Sequence, residues 1–227
     1  MSNLYVLMGP QGAGKGTQAK LLADRFGLPI VATGDILRVM ATQETPLGQH
    51  VKEVLDSGEL VSDDILAEVI KTRLCMKDCL GGCILDGFPR TLPQARLLEK
   101  IAQEDGNRIV VIKIDVPREL LLRRLTGRRI CNRCNSIYHM EFKPPRHDEV
   151  CDLDGEPLVT RPDDDTIEAI QQRLQLYQEK TRPLLEYYEA SNRLYRVDGT
   201  GTPEAVFGRL AEIVAKESNA ERGNAAQ

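Results

Sequence analysis

The chain has 227 residues, about one and a half times the usual length of a domain, so one domain carrying elaborations is expected rather than two independent ones. Thirty lysines and arginines against 34 aspartates and glutamates leave a net charge of −4, which argues against a general binder of nucleic acid or other polyanions. No apolar run approaches the ~18 residues of a membrane span, and the opening MSNLYVLMGP has no basic n-region or cleavage site, so the expected location is cytoplasmic. Aromatic residues are only 4% and Trp is absent, which points to an aliphatic core of Val, Ile and Leu strands buried under helices. Six cysteines in such a chain read as thiols or metal ligands rather than as a disulfide framework.

Residues 4–8, LYVLM, predict the first buried strand, and the turn GPQGAGKGT at 9–17 leads from it into a helical pattern over 18–26. In this strand–GxxxxGK–helix setting the backbone of Gly12, Ala13, Gly14, Lys15, Gly16 and Thr17 can wrap around phosphate with its N–H groups inward. The helix N-terminus adds positive dipole, and Lys15 reaches the outer phosphates. Where Ser or Thr usually follows the lysine, Gly16 intervenes before Thr17. A magnesium-binding hydroxyl is therefore displaced by one, and the ion is expected to be held more through water and nucleotide than through protein.

A second strand is predicted at 30–32, followed by TGDILR at 33–38, and a third at 83–85, followed by DGFPR at 86–90. Both turns fall at strand C-termini, where open α/β sheets bind ligands. Arg38 and Arg90 suit bidentate phosphate recognition, and Asp86, ending an apolar strand, suits holding magnesium or its waters. Between these strands, 35–62 reads as helices with no strand and 64–75 as an amphipathic helix. Cys75, Cys79 and Cys83 read as packing residues, the first two on one helix face and the third opening a strand.

Strands are predicted again at 109–114 and 194–197, so the fold class is α/β, a parallel sheet covered on both faces. Residues 127–164, rich in Gly, Pro, Cys and charge, show neither periodicity and are too long for an ordinary loop, so with 35–62 they read as an insertion. Within this segment Cys131-x2-Cys134 and Cys151-x2-Asp154 have the spacing of a zinc ribbon, a closed four-ligand set typical of structural zinc. His139, His147 and Asp152 compete for the fourth place, and spacing favours Asp154. Six basic against eight acidic residues give this segment no electrostatic footprint for a polyanion. The polar tail after Lys216 is expected to fray.

GPQGAGKGT at 9–17, TGDILR at 33–38, DGFPRT at 86–91, Arg124 with GRR at 127–129, and DGT at 198–200 together resemble the adenylate kinases of the long-lid bacterial type, from Leu4 to about Val206. The resemblance implies a three-layer P-loop fold on a five-stranded parallel sheet. Its core would be residues 1–31, 62–126 and 165–227, with a helical nucleoside-monophosphate-binding insertion at 32–61 and a zinc-ribbon-like lid at 127–164. It also implies reversible transfer of the γ-phosphoryl of Mg-ATP to AMP, giving two ADP, by a monomer that binds neither nucleic acid nor membrane.

By the same resemblance Lys15, Arg124 and Arg128 contact the ATP phosphates, Arg38 and Arg90 the AMP phosphate, and Arg161 and Arg173 the phosphoryl in flight and AMP. Gln94 reads the acceptor base, in a pocket formed by Thr33, Glu59, Leu60, Val61, Gly87, Phe88 and Pro89. Ile137 and Tyr138 lie beside ATP, or form a plain β-hairpin, and Gly201 offers its backbone to the ATP adenine. Asp163 and Asp164 match an acidic pair that orients the arginines, or are solvated carboxylates at a helix start. Arg161 and Arg173 stand twelve apart, one more than the family pattern leads us to expect. A pyrimidine nucleotide kinase is the nearest alternative, against which Thr33 and the long lid count, and a zinc-ribbon nucleotide switch is the second.

Overall fold

The computed structural model describes residues 2–57, 59–161, 164 and 166–224, with side chains as far as 219. Strand β1 (Asn3–Met8) is buried along its whole length, and its two faces feed two separate apolar clusters: Leu4, Val6 and Met8 enter one, Tyr5 and Leu7 the other. That division explains why the strand reads as an unbroken apolar run. On one side of β1 lies β3 (Cys83–Asp86) and then β2 (Ile30–Ala32); on the other lies β4 (Arg108–Asp115) and then β8 (Leu194–Asp198). All four pairings are parallel, giving the expected five-stranded sheet in the order β2-β3-β1-β4-β8. The chain serves one side of β1 before crossing to the other, so the topological switch point lies at the C-terminal end of β1, where ligands enter such sheets.

Helix α1 (Lys15–Phe26) follows β1 directly and begins three residues before the periodic pattern, at the lysine itself. After β2 come α2 (Thr33–Ala41) and α3 (Pro46–Asp56) with no strand between them. Thr45 caps α3 by accepting the Gly48 N–H at 3.0 Å, with Pro46 in the first turn. Gly48 is required there, because a Cβ would stand 2.3 Å from the Gln43 carbonyl oxygen. Then follow α4 (Asp63–Leu74), α5 (Leu92–Glu104) and α6 (Arg118–Thr126).

Beyond α6 the chain forms a small antiparallel sheet, β5 (Arg128–Cys131), β6 (Ile137–His139) and β7 (Leu158–Val159), in the order β6-β5-β7. Strands of two to four residues are too short to display a period of two, which is why this segment shows no pattern. Its apolar cluster consists of Cys131, Tyr138, Cys151 and Leu158. The chain returns through α7 (Ile167–Leu176), one π-helical turn at Tyr177–Thr181, α8 (Pro183–Ala190), β8 and α9 (Pro203–Asn224).

Two expectations are corrected. The tail is helical beyond Lys216, α9 continuing to Asn224, and Glu217 is buried, paired with Arg108 at 2.7 Å and bonded by the Tyr195 hydroxyl; residues 225–227 of the tail lie outside the described residues. Nor do Cys75 and Cys79 share a helix face: α4 ends at Leu74, leaving Cys75 exposed at its cap, while Cys79 is buried in a separate 3-10 turn. Cys83 does open β3 and is buried. No helix among the described residues is long and apolar enough to cross a membrane.

Candidate active site

A cleft of about 850 Å³ opens above the switch point. Its floor is the loop and helix start from Gly12 to Thr17, and its walls carry Arg38, Leu60, Asp86, Gly87, Pro89, Arg90, Arg124, Arg128, Arg161 and Arg173. The small sheet contributes Ile137 and Tyr138, and the turn after β8 contributes Gly201. Thr33, Val61, Phe88 and Gln94 are buried beneath the wall rather than on it, and Glu59 is exposed outside it. His139, Phe142, Lys143 and Tyr177 also line the cleft; among these the sequence marks only His139, and as a metal ligand. Phe142 was open to detection as the one phenylalanine of the small-sheet segment.

The glycine loop needs Gly12 at φ +80, since a Cβ there would meet Leu125 Cγ at 3.0 Å and the Leu121 carbonyl oxygen at 3.1 Å. Lys15 folds back on the loop, donating to the carbonyls of Gly9 at 2.8 Å and Pro10 at 3.0 Å. Burial holds its pKa down at about 8; Asp86 opposes the shift, and the charges of Arg90, Arg173 and Arg128 add to it. Four cations thus converge where the loop would place phosphate. Asp86 is pushed the other way: burial raises its carboxyl, against the pull of Lys15, Arg90 and Arg161. Its Oδ2 lies 3.4 Å from where a Cβ on Gly16 would stand, so the glycine in place of the usual hydroxyl residue leaves room beside the carboxylate. A hard oxygen donor with free space next to it fits magnesium held through water.

Arg90 is fixed from three directions. Its Nε donates to the Gly87 carbonyl at 2.8 Å, its backbone N–H donates to Gln94 Oε1 at 2.7 Å, and its carbonyl accepts the Thr181 hydroxyl at 3.1 Å. Thr181 closes the π-helical turn, a feature frequent at functional sites. Arg124 reaches the Gly199 carbonyl at 3.0 Å, and Arg38 pairs with Asp35 at the exposed rim. Asp164, with no exposed side-chain surface, accepts from Arg173 at 2.8 Å and also bonds Arg128. It therefore orients two arginines and is not a solvated carboxylate. Asp163 lies outside the described residues.

In the small sheet, the ligand atoms of Cys131, Cys134, Cys151 and Asp154 all lie within 4.8 Å of one another, a cluster compatible with a metal. Hydrogen bonds from the Cys134 and Cys151 thiols hold the Asp154 carboxyl down at about 2. Two competitors are committed elsewhere: Asp152 Oδ1 accepts the Arg146 N–H at 2.8 Å, and His139 Nδ1 accepts the N–H groups of Glu141 and Phe142 at 3.0 Å. The Tyr138 hydroxyl, 3.5 Å from Cys151 Sγ, accepts the Asp152 N–H at 2.9 Å, so this residue lines the cleft with its ring and braces the cluster with its oxygen.

A phosphate-cradling loop at a switch point, with four cations gathered over a half-buried carboxylate, defines a P-loop nucleotide phosphotransferase. The sequence profile of the family described as Adenylate kinase matches residues 7–193. The adenylate kinases of Clostridium tetani and Carboxydothermus hydrogenoformans are each 44% identical to this chain, over 92% and 93% of its length and 97% and 99% of theirs. That of Clostridium botulinum (strain Eklund 17B) is 41% identical over 93% of this chain and 99% of its own. The chain belongs to the adenylate kinase family and is a nucleoside monophosphate kinase.

Proposed function

We propose that the cleft catalyses the reversible transfer of the γ-phosphoryl of Mg-ATP to AMP, giving two ADP, in a monomeric cytoplasmic enzyme. The observation that carries this reading is the convergence of Lys15, Arg90, Arg128 and Arg173 on the loop beside Asp86. An AMP phosphate oxygen is already an anionic nucleophile, so no strong general base is needed. Catalysis reduces to aligning donor and acceptor and neutralising the charge of the in-line transfer.

In this reading the N–H groups from Gly12 to Thr17, with Lys15, Arg124 and Arg128, hold the ATP phosphates. Arg38 and Arg90 hold the AMP phosphate, while Arg161 and Arg173 face the phosphoryl in flight. Ile137, Tyr138 and Gly201 flank the ATP base. Thr33, Gly87, Gln94 and the stretch from Glu59 to Val61, with Phe88 and Pro89, form the AMP base pocket. Asp86 and Thr17 would hold magnesium through its waters, where the ion neutralises phosphate charge. Residues 32–61 and 127–164 close over a core made of 1–31, 62–126 and 165–227, and closure excludes water that would otherwise accept the phosphoryl.

The metal of the lid is zinc, in a structural role. Tetrahedral zinc with bonds of about 2.3 Å to sulfur and about 2.0 Å to oxygen needs ligand edges of about 3.5–3.8 Å. The Cys134–Cys151 sulfurs stand 3.5 Å apart and Cys131 Sγ stands 3.3 Å from the Asp154 oxygens, each about 0.2–0.3 Å inside the edge the ion needs, so a small outward shift of the ligands would seat it. A four-side-chain apolar cluster that includes two of the ligands leaves the lid to draw its rigidity from the ion. The function is tested by acceptor turnover in a coupled ADP assay: AMP is expected to outrun UMP and CMP, and a preference for either pyrimidine nucleotide overturns it.

A further inference from the structure

Asp63, the first residue of α4, is absent from the site that the motifs mark out. Its carboxylate accepts from Gln94 Nε2 at 2.6 Å and from the Thr91 hydroxyl at 3.0 and 3.1 Å. On the other side of the same amide, Gln94 Oε1 accepts the Arg90 N–H at 2.7 Å. A backbone N–H can only donate and a carboxylate here only accepts, so these two partners admit one orientation of the Gln94 amide and forbid its flip. In the flipped state Arg90 N–H would face the NH₂ group and Asp63 would face the amide oxygen, two like-to-like contacts in a buried place. After both bonds are made, Gln94 keeps one Nε2–H donor and one Oε1 lone pair uncommitted.

We propose that Asp63 is a specificity-determining positioning residue: by fixing the Gln94 amide it sets the enzyme to accept 6-aminopurine and to reject 6-oxopurine nucleotides. The inference rests on the assignment of Gln94 to the AMP base. Adenine presents an N6 amino donor beside an N1 acceptor, which the uncommitted oxygen and N–H of Gln94 complement. Hypoxanthine presents the reverse, an O6 acceptor beside an N1–H donor, and only a flipped amide would suit it. Asp63 makes the flip costly without touching the nucleotide. Sites that hydrogen-bond a base edge owe their selectivity to such unpaired groups in the wrong complex. Position 63 also adjoins the end of the 32–61 insertion, so the amide is held by an anchor outside the segment that closes.

The test compares AMP with IMP as phosphoryl acceptors in the full-length enzyme. In Asp63→Asn an amide at position 63 can offer either a donor or an acceptor, and in Asp63→Ala the anchor is gone. Both are expected to lower the AMP:IMP ratio of kcat/KM by about tenfold, the scale of one lost buried polar partner, while KM for ATP stays within about twofold. Gln94→Ala is expected to abolish the preference itself. If Gln94→Ala abolishes the preference but both Asp63 variants keep the wild-type ratio, the Asp63 inference is overturned and the base assignment stands. Loss of AMP and IMP turnover in equal proportion in the Asp63 variants overturns it too, since that marks a merely structural residue. If Gln94→Ala leaves the ratio unchanged, the base assignment fails and takes this inference with it.

Discussion

Asp164→Ala is the perturbation from which the site's electrostatics can be read most directly. The carboxylate has no exposed side-chain surface and sits between Arg128 of β5 and Arg173 of α7, whose side chains are 15% and 13% exposed. Removing it leaves two guanidiniums side by side with neither paired to this anion. Breaking a buried ion pair by deleting one partner costs ~3–5 kcal/mol. The lower end applies here, because both guanidiniums keep some exposure and line the cleft. About 3 kcal/mol in a chain of this length corresponds to a fall of about 9 °C in the thermal midpoint. Asp164→Asn, which keeps the shape and one acceptor oxygen, should fall by less. Saturating ATP should recover part of the loss, as its phosphates supply the missing negative charge. KM for ATP should rise about tenfold as Arg128 loses its aim. Differential scanning calorimetry with and without nucleotide, together with steady-state kinetics, reads all of this. A midpoint within about 2 °C of wild type in Asp164→Ala, with unchanged kinetics, would refute the shared-carboxylate account.

Lys15 titrates in the folded enzyme at about 8, from an ordinary value of 10.5. Between those values the unfolded chain holds a proton the folded chain has lost, so this lysine's contribution to stability rises with pH across that window. ATP phosphates should restore the proton: at about pH 8.5, calorimetry in buffers of different ionisation heat should show uptake of more than about half a proton per ATP, and Lys15→Met should abolish it. Binding without proton exchange in the wild type would contradict the cause assigned to the shift. Arg90→Ala should lower kcat by about a hundredfold or more while the ATP dissociation constant stays within about threefold. Equal losses in both would make Arg90 a ground-state contact only. Thr181→Val removes the hydroxyl on the Arg90 carbonyl and should lower kcat/KM for AMP by about fivefold, with Thr181→Ser restoring it; unchanged kinetics would show that Arg90 does not need that support. Reduced, intact protein should contain one zinc per chain, and chelation should lower the thermal midpoint while the parallel sheet's circular dichroism persists; elemental analysis that finds no metal ends the zinc reading.

The features legible in the sequence are those whose partners lie within about one turn of each other or at a characteristic spacing. The loop 9–17 is a single strand-to-helix turn, the two arginine motifs end strands, and two x2 spacings brought four metal-ligating groups within 4.8 Å. Apolar runs located all five strands of the parallel sheet: β1, β3 and β4 are buried along most of their length, whereas in the edge strands β2 and β8 only Val31 and Val197 are fully buried. Where the spacing rule met a helix end it failed, as at Cys75, because a four-residue interval says nothing about α4 stopping at Leu74. Composition missed the start of the tail for a related reason: Glu217 is held by partners far along the chain, Arg108 and Tyr195.

The supporting residues of the site belong to that second kind. Asp63 meets Gln94 across 31 positions, Asp164 meets Arg128 across 36, and Thr181 meets Arg90 across 91. In the proposed mechanism none of the three touches phosphate, and each lies beside a residue that does or that faces the base. A carboxylate or hydroxyl of this sort has no local signature, because its chemistry is that of any helix-start aspartate or turn threonine until the fold supplies its partner. Residues that bind ligand are thus found from motif; of those that aim them, Asp164 was marked by its match to the family's acidic pair with its partners unnamed, and Asp63 and Thr181 emerge only from geometry. The acceptor preference of this enzyme should therefore respond to Asp63, which no motif marks, as well as to Gln94, which a motif does mark, and the smaller change at Asp63 is that of a residue acting through the amide rather than on the base.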